Sequence, residues 1–168
     1  MPPITISINN KLGSAPLNVR RMRSADVPAA LSLMAPLVSA GILVSRTAEQ
    51  IESSIEDYYV YEIDGVPHAC VALKAWNATT AEIGALAVDR GYTALNIGRR
   101  LVEYCLEEAR RRGLERVFVL TTQTADWFDS LGFRAGTIDD LPPERRRTYD
   151  RARASRILTY DLGPGGPR

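Results

Sequence analysis

The sequence has few of the residues that metal sites and catalytic triads need. It contains one histidine, His68, and two cysteines, Cys70 and Cys105, so no ligand set stands at a spacing typical of zinc. A Ser-His-Asp triad is equally poorly supported. Cys70 falls in an apolar strand pattern and Cys105 on the apolar face of a helix, which predicts buried, reduced thiols. We therefore expect no metal and no disulfide.

Long hydrophobic runs are also missing. No apolar stretch approaches the roughly 20 residues of a membrane-spanning helix, and the N-terminus lacks the basic and hydrophobic regions of a signal peptide. The net charge is only +1, so nothing global indicates a nucleic acid or a membrane as partner. Arginine clusters at 110–112 and 145–147 are typical of solvated faces. These observations predict a cytoplasmic protein that binds small molecules.

The pattern of elements predicts one α/β (α+β) domain, since 168 residues suffice for a single full core. We expect the domain at 16–162, a flexible N-terminal tail at 1–15 and a disordered C-terminal tail at 163–168. Strands are predicted at 17–23, 58–63, 66–76, 82–88, 116–120 and 155–162, with another from Phe133. Helices are predicted from 27 to 38, after Thr47, after Asn96, from 126 to 131 and after Pro143. Ser24 is the predicted cap of the first helix.

The most informative segment runs from a strand through a loop into a basic helix. Unpaired N–H groups and the helix dipole favour negative charge at such a helix start. Asn96 is a capping residue, Gly98 permits close approach of the backbone, and Arg99 and Arg100 add two guanidiniums. The segment predicts a seat for the pyrophosphate of an anionic cofactor. The alternative is a plain capped helix with a solvated first turn.

The order of elements resembles the GNAT acyltransferase family, and motifs at 82–89, 98 and 127–133 match its cofactor-binding half. Across 19–162 the chain is similar to the acetyltransferase domains of N-acetylglutamate synthases. The matching segments are 41–44, 118–122, 140–142 and 153–158. The resemblance implies a mixed central sheet flanked by helices with splayed central strands. It also implies acetyl-CoA as cosubstrate, glutamate as acceptor and a place in arginine biosynthesis.

The resemblance further implies site residues. The cofactor would be bound by Leu86, Ala87, Val88, Asn96, Ile97, Gly98, Arg99 and Arg100, and the substrate carboxylates by Lys74, Arg153 and Ser155. Glu82 would be the general base. Arg153 and Ser155 are two apart on a predicted extended segment, which places them on one face. Each assignment has an alternative. Glu82 can be a structural carboxylate paired with an arginine, 86–88 can be an ordinary core strand, and Arg153 can be surface charge.

The chain also departs from the family pattern. The run 93–98 keeps only the last loop glycine, Phe128 stands where a proton-donating tyrosine is frequent, and Ala35 stands where an arginine is expected. Arg46 is a candidate to replace that arginine. The amino-acid-kinase-like domain of longer synthases is absent, so arginine feedback through it is not expected. Two alternatives follow: a GNAT enzyme for another small amine or amino acid, or a catalytically weak CoA-binding module. Homodimers are common in the superfamily, and the sequence leaves open whether this chain forms one.

Overall fold

A computed structural model describes residues 18–163, except for the side chains of Thr93 and Ala94. The strands are β1 Val19–Arg21, β2 Tyr58–Ile63, β3 Val66–Ala75, β4 Thr80–Val88, β5 Arg116–Thr121, β6 Arg134–Ala135 and β7 Arg156–Asp161. The α-helices are α1 Val27–Ser39, α2 Ala48–Ser53, α3 Ile97–Arg111, α4 Ala125–Ser130 and α5 Pro143–Arg147. The predicted tail at 1–15 lies outside the described residues, as does the predicted tail at 163–168 except for Gly163, and the domain limits stay predictions.

The strands form one seven-stranded sheet in the order β1-β2-β3-β4-β5-β7-β6. β1, β2 and β3 pair antiparallel, β4 and β5 pair parallel, and β7 pairs antiparallel with both β5 and β6. The sheet is therefore mixed, and helices flank it, so the predicted α/β (α+β) class is confirmed.

The parallel ladder between β4 and β5 is short. It runs from the Thr80–Arg116 pair to the Ile83–Val119 pair. β4 continues to Val88 beyond the end of that ladder. Ala85 has a φ of 53°, a left-handed conformation that is costly for a residue with a side chain and that interrupts regular strand pairing. The early end of the ladder agrees with the predicted splaying of the central strands.

The described chain divides into two compact units, which share β3, β4 and α3 between them. The first unit comprises 18–72 and 85–107, and the second comprises 73–84 and 108–163. The first unit has a core formed by α1, α2 and the β2–β3 hairpin. Its buried members are Met22, Val27, Ala30, Met34, Ile51, Tyr58, Val60, Cys70, Ala72, Ala85 and Ala87. In the second unit Phe118, Leu141 and Ile157 are buried together, with Trp76 and Tyr149 packed against them.

The entry into α1 differs from the prediction. Ser24 was the expected cap, but it lies in a turn of 3-10 helix that precedes α1 and forms no side-chain cap there. Asp26 occupies the N-cap position of α1 without a side-chain cap, and its carboxylate instead accepts the backbone N–H of Arg23 at 2.8 Å, across the preceding 3-10 turn. The same carboxylate accepts two hydrogen bonds from Arg20, at 2.7 and 3.0 Å. These bonds hold the pKa of Asp26 below its usual range.

Candidate active site

The predicted pyrophosphate seat lies in the first unit, where β4 leads into α3. A 3-10 segment, Arg90–Leu95, fills the predicted loop, and Asn96 lies directly before the helix as predicted. The backbone oxygen of Asn96 accepts the N–H of Arg100 at 3.0 Å, which is the first bond of the helix. Asn96 has φ 58° and ψ 27°, a left-handed conformation rather than the extended one typical of a helix cap. Asparagine tolerates this region better than most residues.

The first turn of α3 brings backbone donors and two cations to one helix end. Ile97 is buried in the core, Gly98 and Arg100 are half-buried, and Arg99 is exposed. Arg99 pairs with Glu103 at 3.0 Å, with both side chains 58% exposed. An ion pair exposed to this degree contributes little stability, so an anion can compete for the guanidinium. The arrangement fits a phosphate group, which both the dipole and the arginines favour.

The strand segment assigned to the pantetheine arm alternates in burial. Ala87 is buried, whereas Leu86 and Val88 are half-buried. This pattern suits backbone contacts made from one side of a core strand. The Cys70 thiol donates to the backbone oxygen of Ala85 at 3.5 Å, and burial raises the pKa of that thiol to about 12. Both cysteines are buried, as the sequence predicted, and they are not joined in a disulfide.

Glu82 lies in the second unit and its carboxylate is firmly held. Oε1 accepts the indole N–H of Trp76 at 3.0 Å and the Nε–H of Arg145 at 2.9 Å. The Glu82 side chain is 17% exposed and that of Arg145 is 19% exposed. The pairing with an arginine is therefore present. The role of Glu82 as general base stays a prediction. The structure adds that two donors hold its carboxylate in one orientation.

Two cations lie close to the Trp76 indole. The Lys74 ammonium lies 4.0 Å from the centroid of the ring, and the Arg145 guanidinium carbon lies 5.7 Å from it. Both distances fall within the range of cation–π attraction. Lys74 is exposed at the end of β3. This cluster of Lys74, Trp76, Glu82 and Arg145, the Trp76 cluster, provides positive charge and a fixed carboxylate in one place.

The predicted extended segment around Arg153 is wrong. Arg153 lies in a turn at 151–154, and Ala154 has a left-handed φ of 54°. The Asp150 carboxylate produces this turn, since it accepts the backbone N–H groups of Ala152 and Arg153 at 3.0 and 3.2 Å. Ser155 is buried next to the start of β7. The strand-periodicity argument that placed Arg153 and Ser155 on one face therefore no longer applies.

Arg145 belongs to the Trp76 cluster, and the sequence prediction missed it. Its cluster at 145–147 was interpreted as a solvated face. Arg145 and Glu82 are 63 positions apart, so no local pattern indicated their pairing. The sequence did predict a helix after Pro143, and this helix carries Arg145. No other local feature indicated the direction of the Arg145 side chain.

Arg46, in the first unit, has a buried guanidinium nitrogen. Among the described residues, its Nη1 atom is buried without a hydrogen-bond partner. A buried donor without a partner is costly, on the order of 1–3 kcal/mol. Buried donors normally have a partner, so this nitrogen lacks one that most such atoms have.

The chain belongs to the acetyltransferase (GNAT) family, whose model matches residues 35–133. An amino-acid acetyltransferase from Actinobacillus pleuropneumoniae serotype 5b (strain L20) is 42% identical over 147 residues, which cover 87% of this chain and 34% of that protein. The chain thus spans about a third of the length of the curated relatives it matches.

Solved structures give the same picture. N-acetylglutamate synthase from Neisseria gonorrhoeae, complexed with coenzyme A and N-acetyl-glutamate, matches with a TM-score of 0.83 and 36% identity, over 86% of this chain and 34% of that one. Rv2747 from Mycobacterium tuberculosis, in complex with CoA and NLQ, matches with a TM-score of 0.73 and 27% identity, over 85% of this chain and 98% of that one. Within 18–163, no helix is both long and apolar enough to span a membrane.

Proposed function

We propose that this chain transfers the acetyl group of acetyl-CoA to the α-amino group of L-glutamate. The observation that carries the proposal is the match, over most of the chain, to a synthase whose structure holds coenzyme A and N-acetyl-glutamate. The proposal places the chain at the first step of arginine biosynthesis, in the cytoplasm.

The first unit supplies the cofactor contacts in this proposal. The N–H groups of Asn96, Ile97 and Gly98 and the charge of Arg99 and Arg100 bind the pyrophosphate. The backbone of 86–88 holds the pantetheine arm. The 15-residue length of α3 supports this, because a helix of that length presents a full dipole and a set of unpaired donors at its start.

The acceptor needs cations for its two carboxylates. Lys74 and Arg153 provide two of them and Ser155 provides a hydroxyl, as the family resemblance implies. Arg46 replaces the arginine that is missing at Ala35, and its buried, unpartnered Nη1 supports the assignment. An unpaired buried donor gains a full hydrogen bond when a carboxylate arrives, so binding relieves its cost.

The reaction is one direct displacement. The neutral amine attacks the thioester carbonyl, a C–N bond forms, and the C–S bond breaks to release the thiolate of coenzyme A. Glu82 takes the proton that the amine loses, directly or through water. Phe128 has no proton to give, so the thiolate takes its proton from another source. The hydrogen bonds from Trp76 and Arg145 hold the Glu82 carboxylate in one orientation.

Two other functions have specific support. The replacement at Ala35 favours another amino acid or small amine as acceptor. The single remaining glycine at 93–98, together with Phe128, favours a CoA-binding module with little catalysis. Each alternative keeps the same fold and the same cofactor.

A thiol-release assay with acetyl-CoA and a panel of amino acids and small amines tests the proposal. Release that depends on glutamate and saturates with it is the expected result. Release with a different acceptor identifies the second function. Tight coenzyme A binding without release for any acceptor identifies the third.

A further inference from the structure

His68, the single histidine of the chain, is joined to the beginning of the cofactor loop. Its Nδ1 lies 3.0 Å from Oδ2 of Asp89, and its backbone oxygen accepts the Asp89 N–H at 2.8 Å. The Tyr92 ring packs on the imidazole with a centroid distance of 4.1 Å and an interplanar angle of 38°. The His68 side chain is 16% exposed. One residue of the hairpin thus contacts two residues of the segment that follows β4.

Asp89 transmits these contacts to the loop backbone. Its Oδ1 accepts the Gly91 N–H at 3.4 Å, and its backbone oxygen accepts the Tyr92 N–H at 2.8 Å. The hydrogen bond from His68 holds the pKa of Asp89 below its usual range. These bonds determine the direction in which the chain leaves β4. The 3-10 segment that begins there continues to Asn96 and the first turn of α3.

The contacts of His68 and Asp89 matter because the cofactor loop contains few glycines. The run 93–98 retains one glycine, so most of its residues lack the conformational freedom that lets a glycine-rich loop adapt to a phosphate. Between Gly91 and Gly98 every residue carries a side chain, so this part of the chain must reach the correct path in another way. Contacts that fix its first turn reduce the entropy lost when a ligand binds.

We infer that His68 is a positioning residue for coenzyme A: together with Asp89 and Tyr92 it sets the path of Arg90–Leu95, and so the placement of the donors at the start of α3. The inference rests on the cofactor of the proposed function, and it does not depend on the acceptor. His68 acts through the loop and is not assigned a contact with the cofactor.

The test compares coenzyme A affinity, measured by titration calorimetry, with steady-state constants for both substrates. The variants are His68→Ala, Tyr92→Leu and His68→Asn, whose amide N–H can replace the Nδ1 donor. Glu62→Ala is the matched control: Glu62 lies on β2 of the same hairpin, and its carboxylate pairs with Arg20 of β1 rather than with Asp89 or Tyr92.

His68→Ala should raise the dissociation constant of coenzyme A about tenfold, the effect of losing one charge-assisted hydrogen bond. The KM for acetyl-CoA should rise in parallel, while kcat and the KM for the acceptor stay unchanged. Tyr92→Leu should have a smaller effect, His68→Asn should recover part of the loss, and Glu62→Ala should bind coenzyme A as the wild type does.

Wild-type affinity in His68→Ala overturns the inference, and so does an equal loss in Glu62→Ala, which would indicate a general effect of stability. If His68→Ala fails to fold, the test rests on His68→Asn and Tyr92→Leu. Unchanged coenzyme A affinity in both of these variants would contradict the inference. A wild-type chain that binds coenzyme A but acetylates no amine would remove the proposed activity and leave this inference intact. A wild-type chain that binds no coenzyme A would remove both.

Discussion

At the scale of single residues, the decisive group is the Glu82 carboxylate. It accepts hydrogen bonds from Trp76 and Arg145, and these two donors hold it in one orientation. A carboxylate held in this way can be part of the structure or can receive a proton. The two roles differ in what happens when its charge is removed and its shape is kept.

Glu82→Gln distinguishes the structural role from the role of base, because the amide oxygen can still accept a hydrogen bond from Trp76 or Arg145. If Glu82 is the general base, kcat should fall by about 100-fold or more. The loss should be largest at low pH, where deprotonation of the amine limits the rate. A pH–rate profile of the variant measures this. An unchanged profile would remove Glu82 as the base.

Arg145→Ala is the companion variant, since it leaves a half-buried carboxylate without its cation. We expect lower kcat with an unchanged dissociation constant for coenzyme A, because Arg145 orients Glu82 and has no cofactor contact in the proposed function. Loss of thermal stability with kcat intact would assign the Glu82–Arg145 pair a structural role only. Arg147→Ala, from the same arginine run, serves as control.

Arg46 leads to a second prediction at this scale. Arg46→Ala should raise the KM for glutamate about tenfold or more, the effect of losing one hydrogen bond between charged groups. Coenzyme A affinity should not change. Arg23, an arginine of the same unit with a side chain that is 69% exposed, is the control position. An equal KM in Arg46→Ala and Arg23→Ala would exclude Arg46 from the acceptor site.

At the scale of elements, the short-range patterns in the sequence were reliable. Asp64 and Gly65, between the two predicted strands 58–63 and 66–76, are a residue pair typical of a tight hairpin turn, and both have the positive φ that such a turn requires. Thr47 and Gln50 have the spacing of a capping box, and they exchange hydrogen bonds of 2.8 and 3.1 Å at the start of α2. These features depend on neighbours a few positions apart, which the sequence shows directly.

Features that depend on competition or on distant partners were not predictable. Ser24 is a residue type typical of helix caps, but its hydroxyl donates to Glu52 at 2.8 Å, and the Asp26 carboxylate accepts from Arg23 and Arg20 across the same turn. Arg153 was predicted on an extended segment, but the Asp150 carboxylate accepts its backbone N–H and makes a turn there. In both places a carboxylate formed hydrogen bonds that a pattern of apolar residues does not record.

Asp26 allows a prediction for the entry into α1. Asp26→Asn should lower the free energy of unfolding by about 2 kcal/mol at neutral pH, because it weakens two guanidinium bonds at a buried position. The folded-state pKa of Asp26 is depressed, so its contribution is present above the unfolded pKa and is lost as the pH falls through the folded one. The difference between variant and wild type should therefore shrink below about pH 4. Denaturant melts across pH measure it, and a constant difference would contradict the assignment.

At the scale of the whole molecule, the proposed reaction uses neither thiol. Cys70 and Cys105 are both fully buried, and burial raises the pKa of Cys70 to about 12. At pH 8 the thiolate fraction of Cys70 is on the order of 1 in 10,000. Native protein should not react with a disulfide reagent, whereas denatured protein should release the equivalent of two thiols. Rapid reaction in the native state would show that one of these sites is open.

The fold of the molecule was predictable as a class, since strand and helix order and the motifs near Gly98 already indicated the GNAT family. The division into two units was not predictable, because it cuts through β3, β4 and α3 rather than through a linker. Each unit carries its own part of the proposed function: the start of α3 lies in the first, and the Trp76 cluster lies in the second.

The most direct test of the account follows the acetyl group itself. Purified chain is incubated with acetyl-CoA labelled with ¹³C in the acetyl group and with unlabelled glutamate, and the products are analysed by mass spectrometry and NMR. The account predicts labelled N-acetylglutamate and free coenzyme A in equal amounts, at a rate that saturates with glutamate. Free coenzyme A with the label in acetate, or a label that stays on the thioester while glutamate is present in excess, would contradict it.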